Sequence, residues 1–200
     1  MTGKTHAAVG LCGAAFLLVP KESIQTSIIG LGFVVLGSYA TDADMKMSKA
    51  GHLISDIISM SVLLVGLYLV ARYWMHYNVV NLIGKNMPGQ LKFLGVAFIT
   101  GSIILGRITG HRKYMHSLIG LTTMYIGVWL IAENFAIWFG FGYALHMVMD
   151  LLNEKPEALL YPLPVGNFCF SLVSSSGIGN NVISVIAYTG FVYKIISIYT

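Results

Sequence analysis

Apolar residues fall into seven blocks along the chain: 7–19, 24–40, 53–73, 91–105, 118–131, 136–152 and 182–199. A helix needs ~20 apolar residues to cross a hydrocarbon core. The first block is short for that task, and the last is long enough. Pro20-Lys21-Glu22-Ser23 reads as a turn with Ser23 as the cap of the next helix, so the first two blocks predict a helical hairpin. Asn, Pro and Gly make a loop of residues 74–90. Pro162 and Pro164 exclude a regular helix interior there, and residues 166–181 form a Ser- and Gly-rich linker. The pattern predicts an all-α, polytopic membrane bundle of five to seven helices, some of them short. It predicts one domain over residues 1–200, with a motif-bearing core at 1–164 and a linker and C-terminal helix at 165–200.

Composition agrees with the pattern. The chain has 200 residues, of which 56% are hydrophobic and 10% charged, and its mean hydropathy is +0.75. Soluble domains carry about a quarter charged residues. The net charge of +4 is spread along the chain without a polybasic arm, which argues against a nucleic-acid partner. Cys12 and Cys169 stand far apart in apolar surroundings and read as small buried hydrophobes. Lys4 and the apolar run after it resemble a signal peptide, but no small-x-small cleavage site follows, so the segment is expected to be retained.

Counting crossings sorts the polar residues. His6, Asp42, Asp44, His52, Asp56, His111, His116, His146 and Asp150 all fall on one side of the membrane, whereas His76 falls on the other. Seven Lys and Arg residues share the first side and five the second, which favours a cytoplasmic orientation for the first.

Several of these residues are spaced for chemistry. His146 and Asp150 are four apart in an apolar block, an offset of about 40° on a helix, so both project from one face. An imidazole beside a carboxylate suits a divalent ion, and an ionisable pair in an apolar span points to function. The alternative is a hydrogen-bonded pair that locks two helices. Asp42 and Asp44 read as a solvated turn or, opposite His6 across the hairpin mouth, as oxygen ligands. His111 and His116 are five apart, roughly 140° on a helix, so a loop must bring them together. Arg112 offers a forked, permanent charge to phosphate or carboxylate oxygens, or a positive anchor at the membrane face. His52 and Asp56 repeat the spacing of four and can orient a ligand from behind, or merely pair at a helix start.

The order of these motifs is Gly3-x-x-His6, Asp42-x-Asp44, Gly110-His111-Arg112-x-x-x-His116-Ser117, then Gly142-Tyr143-x-x-His146-x-x-x-Asp150 and the tail Leu160-Tyr161-Pro162. Over residues 1–164 it resembles the YdjM-like family of bacterial inner-membrane proteins, described as metal-dependent hydrolases. The resemblance implies metal ligands drawn from His6, Asp42, Asp44, His111, His116, His146 and Asp150. The family often has His-Pro after its second aspartate, where this chain has Met45-Lys46, and His52 becomes a candidate replacement. The His-x-x-x-Asp helix is also similar to that of zinc-dependent phospholipases C.

The expected function is therefore a membrane-embedded, metal-dependent hydrolase. Imidazole and carboxylate together suit zinc, manganese or iron better than calcium, as one ion or two. A membrane-face site makes a lipid or lipid-linked ester the expected substrate, with Arg112 and Lys113 favouring a phosphoester. Arg112 is the expected stabiliser of developing negative charge and Asp44 a candidate general base. The rivals are a metal- or proton-coupled transporter and a scaffold whose polar pairs only pack helices.

Overall fold

The computed structural model describes residues 1–44, 88–165, 167–174 and 177–200. His52, Asp56 and the apolar block at 53–73 lie outside the described residues. The rest is helical, as the apolar blocks predict, with no strand among the described residues: α1 (Gly3–Leu17), α2 (Ile24–Ala40), α3 (Gly89–Thr109), α4 (Leu118–Ile131), α5 (Ala136–Leu151) and α6 (Ile178–Tyr199). Ser23 caps α2 by accepting from the Thr26 N–H, and Ser117 caps α4 by accepting from that of Gly120, each at 3.2 Å. These oxygens satisfy N–H groups that the first turn of a helix leaves free.

The helices pair as α1 with α2, α5 and α6, α2 with α5, α3 with α4, and α4 with α5. The α2–α5 contact is the closest. A Cβ on Gly37 would stand 2.0 Å from the Phe139 carbonyl oxygen, and one on Gly142 would stand 2.1 Å from that of Val34. Only glycine lets these backbones meet, and lipid-embedded helices gain much of their attraction from such contact. Ser38 fastens the junction by donating to the Gly142 carbonyl at 3.3 Å. Three of the described helices are long and apolar enough to cross a membrane: α2 with the turn after it, α3 and α6.

Two expectations need correction. Cys169 is exposed and Cys12 only half-buried; Cys169 lies on a loop, where its apolar neighbours Phe168 and Phe170 are exposed with it. The segment read as a linker also has an ordered role. Residues 167–174 run beside the chain that leaves α5, joined by isolated bridges between Asn153 and Val173 and between Glu157 and Phe168.

Candidate metal centre

The polar residues gather at one end of the bundle. The N-terminal end of α1 supplies His6, and a single 3-10 turn, Thr41–Asp44, follows α2 and supplies Asp42 and Asp44. The loop between α3 and α4 supplies His111, Arg112 and His116, and the C-terminal half of α5 supplies His146 and Asp150. Gly110 and Arg112 both have positive φ, at 91° and 65°, which folds the α3–α4 loop back over the helix ends. Tyr143 donates to the Met115 carbonyl and so ties that loop to α5 beside His116.

Four atoms face one another without hydrogen-bonding. His116 Nε2 and His146 Nε2 each lie 3.7 Å from Asp42 Oδ1. The same two nitrogens lie 3.5 and 3.7 Å from Asp150 Oδ2. Nitrogen and oxygen thus alternate around a closed ring. His116 and His146 are fully buried, Asp150 nearly so, and neither ring nitrogen has a hydrogen-bond partner among the described residues. Buried polar atoms are rarely left in that condition, so the donor set fits a cation.

The surroundings aim these donors. His146 Nδ1 lies 2.6 Å from the Ser38 carbonyl, which can only accept. The proton therefore sits on Nδ1, and the Nε2 lone pair points into the ring. His6 stacks on His146 with ring centroids 3.7 Å apart, and its Nε2 lies 3.0 Å from Asp150 Oδ1. Arg112 Nη2 donates to Asp150 Oδ2 at 2.9 Å, and the Met1 ammonium stands 3.4 Å from Oδ1. Behind His116, Asp44 is fully buried and pairs with His111 Nδ1 at 2.8 Å. Burial pushes the His116 imidazole below its ordinary pKa, which favours the neutral form that a metal ligand must take.

Asp44 pairs with His111, and the other six residues expected as ligands fall in three overlapping groups that could hold a metal ion: His6, His146 and Asp150; Asp42, His111 and His116; His116, Asp150 and Glu157. The last contains a residue absent from the expected set. Glu157 stands in Asn153-Glu-Lys-Pro-Glu157, which reads as a polar exit from the helix. Instead its side chain is fully buried, with Oε1 3.9 Å from His116 Nε2. Burial first, then the charge of Asp150, pushes its carboxyl up to about 9, with Arg112 opposing. Its backbone exchanges both hydrogen bonds with Phe168, at 2.9 and 2.8 Å, and the next N–H bonds to the Arg112 carbonyl. Pro156, just before it, was the available signal that the chain stays extended there.

Arg112 and Asp44 are more committed than their expected roles suggest. The Arg112 fork already holds Asp150 and the Lys155 carbonyl, although its buried Nε has no hydrogen-bond partner among the described residues. Of the Asp44–His111 pair, only the imidazole reaches the surface, with 34% of its side chain exposed.

No curated protein and no solved structure matches the chain. A family model described as YdjM inner membrane protein matches residues 1–198, beyond the end of the motifs at residue 164. The chain therefore belongs to the YdjM family of inner membrane proteins.

Proposed function

We propose that this protein is a membrane-embedded, metal-dependent hydrolase of lipid or lipid-linked phosphoesters, with its site on the cytoplasmic face. The observation that carries the reading is the ring of Asp42, His116, His146 and Asp150, buried except at Asp42, whose facing nitrogens have no hydrogen-bond partner among the described residues. These four residues would hold the ion, and zinc, manganese or iron suit the donor set. A bound divalent ion supplies Lewis acidity towards water and the ester oxygen.

The chain's own groups supply the rest. His6 and Arg112 fix the Asp150 carboxylate from both sides. The Ser38 carbonyl fixes the His146 tautomer. Asp44 accepts from His111 Nδ1, leaving Nε2 of that exposed ring to take a proton from water as the new P–O bond forms. The same proton returns to the leaving oxygen as the ester P–O bond breaks. The exposed Lys113 favours an anionic substrate. Close by, an open cleft of about 350 Å³ is lined by Lys113, Tyr161, Leu163 and Val165. A cation at the rim of an apolar cleft suits a lipid with an anionic headgroup.

The donors lie at helix ends and in loops, which supports hydrolysis over transport, whose sites sit at broken helices near the midplane. The test is elemental analysis of purified protein beside His146→Ala and Asp150→Ala, followed by a phospholipid and lipid-phosphate screen with the retained metal. Stoichiometric metal and turnover, both lost in folded variants, are expected. A metal-loaded protein that turns over no lipid phosphoester sinks the hydrolase reading.

A further inference from the structure

Glu157 is the feature of the site that its other groups leave unexplained. Its side chain has no exposed surface, and neither carboxylate oxygen has a hydrogen-bond partner among the described residues. A buried carboxylate in that state is strongly disfavoured unless a proton or a cation relieves it. The atom it faces, His116 Nε2, is equally unpartnered, at 3.9 Å. That distance is too long for a hydrogen bond. When the proton of the neutral imidazole sits on Nδ1, which faces Asp44 Oδ2 at 4.0 Å, both atoms are electron-pair donors, and a positive body between them satisfies both.

The neighbours narrow the choice. Asp150 already directs its oxygens to His6 and Arg112. Asp42, Asp44, Asp150 and Glu157 all stand within 4.0 Å of His116, and Asp150 among them pairs with Arg112 and the Met1 ammonium. With all four carboxylates ionised, the excess equals the charge of one divalent ion. Glu157 is also not free to turn away. Its backbone is paired to Phe168 in both directions, and Ala158 is bonded to Arg112.

From this arrangement we infer that Glu157 is a further metal ligand, adding a carboxylate oxygen to Asp42, His116, His146 and Asp150. The inference rests on the metal-centre reading above, and it ties the loop after α5 directly to the ion.

Cobalt(II) tests it, because its visible absorption reports ligand number apart from any activity. Chelator-stripped, detergent-purified full chain is titrated with cobalt(II) alongside Glu157→Gln, Glu157→Asp, His146→Ala and the exposed-site control Glu154→Gln. Loss of a residue that only orients a ligand weakens binding about 10–100-fold. Glu157→Gln is expected to weaken it by about 100-fold or more and to change the visible bands, whereas Glu154→Gln leaves both as in wild type. Glu157→Asp withdraws the carboxylate by one methylene and is expected to shift the bands with a smaller loss. It carries the test if the glutamine variant does not fold. Wild-type affinity and bands in the folded Gln or Asp variant overturn the role of Glu157 while the centre stands, since His146→Ala still abolishes binding. A wild-type protein that takes up no cobalt, zinc or manganese overturns both the centre and the ligand.

Discussion

Helix α2 with the turn after it and helix α6 have similar length and hydropathy, yet they live in different surroundings. Of the apolar stretch of α2, 56% is buried inside the bundle, against 6% for α6. α2 meets α5 backbone to backbone through Gly37 and Gly142. α6 leans mainly on α1 and turns Val185, Ile186, Val192 and Tyr193 outward. Composition alone therefore does not tell a helix that solvates itself in lipid from one that builds a site. The difference lies in small residues: glycine at the contact puts the Ser38 carbonyl within reach of His146. Packing on the inner pair is thus part of the chemistry, whereas on α6 apolar surface is the requirement.

Five outcomes would break or sharpen this contrast. The largest is expected from Asp150→Ala, which removes a ring donor and strands a buried guanidinium. Breaking a buried pair costs about 3–5 kcal/mol, and cobalt(II) binding should become undetectable in a titration. Gly142→Ala comes next. The new methyl meets the α2 backbone, and overpacking costs about 1–3 kcal/mol, read as a lowered Tm together with weakened metal binding. On α6, Val185→Ala should change stability by about 0.5 kcal/mol or less, whereas Ile186→Asp should impair insertion at about 2.5–3.5 kcal/mol if it sits at mid-bilayer depth. Equal sensitivity of the α2–α5 contact and α6 to small apolar changes would abolish the contrast.

The subtlest outcome concerns pH. The Glu157 carboxyl titrates near 9 in the fold, against an ordinary 4.5. The folded state then binds more protons than the unfolded one, so the contribution of this group to stability falls as pH rises between those values. In metal-free protein, Glu157→Gln should gain in Tm relative to wild type from about pH 5 to 9. Saturating zinc should close that gap, and a gap indifferent to zinc would detach Glu157 from the ion.

The helices were legible because apolar runs and caps are local. Block 118–131 coincides with α4 and block 24–40 with α2, and both follow a serine that caps the helix. α6 begins four residues before its apolar block, at Ile178, because Gly179, Asn180 and Asn181 continue a helix without adding to an apolar run. The convergence of His6, Asp42, Asp44, His111, His116, His146 and Asp150 was legible through the alternation of crossings. Glu157 was not, because its burial depends on Phe168 and Arg112, which no local pattern connects to it. The commitment of Asp44 to His111 was hidden for the same reason.

The site draws on five stretches separated along the chain, from His6 to Glu157. During synthesis, Asp42 and Asp44 emerge more than a hundred residues before Glu157. A chain that ends before Glu157 lacks part of the proposed donor set. Ion retention would then act as a certificate of completed assembly, because affinity at such a site is itself folding free energy. A truncated or misthreaded chain would be marked by the metal it fails to keep.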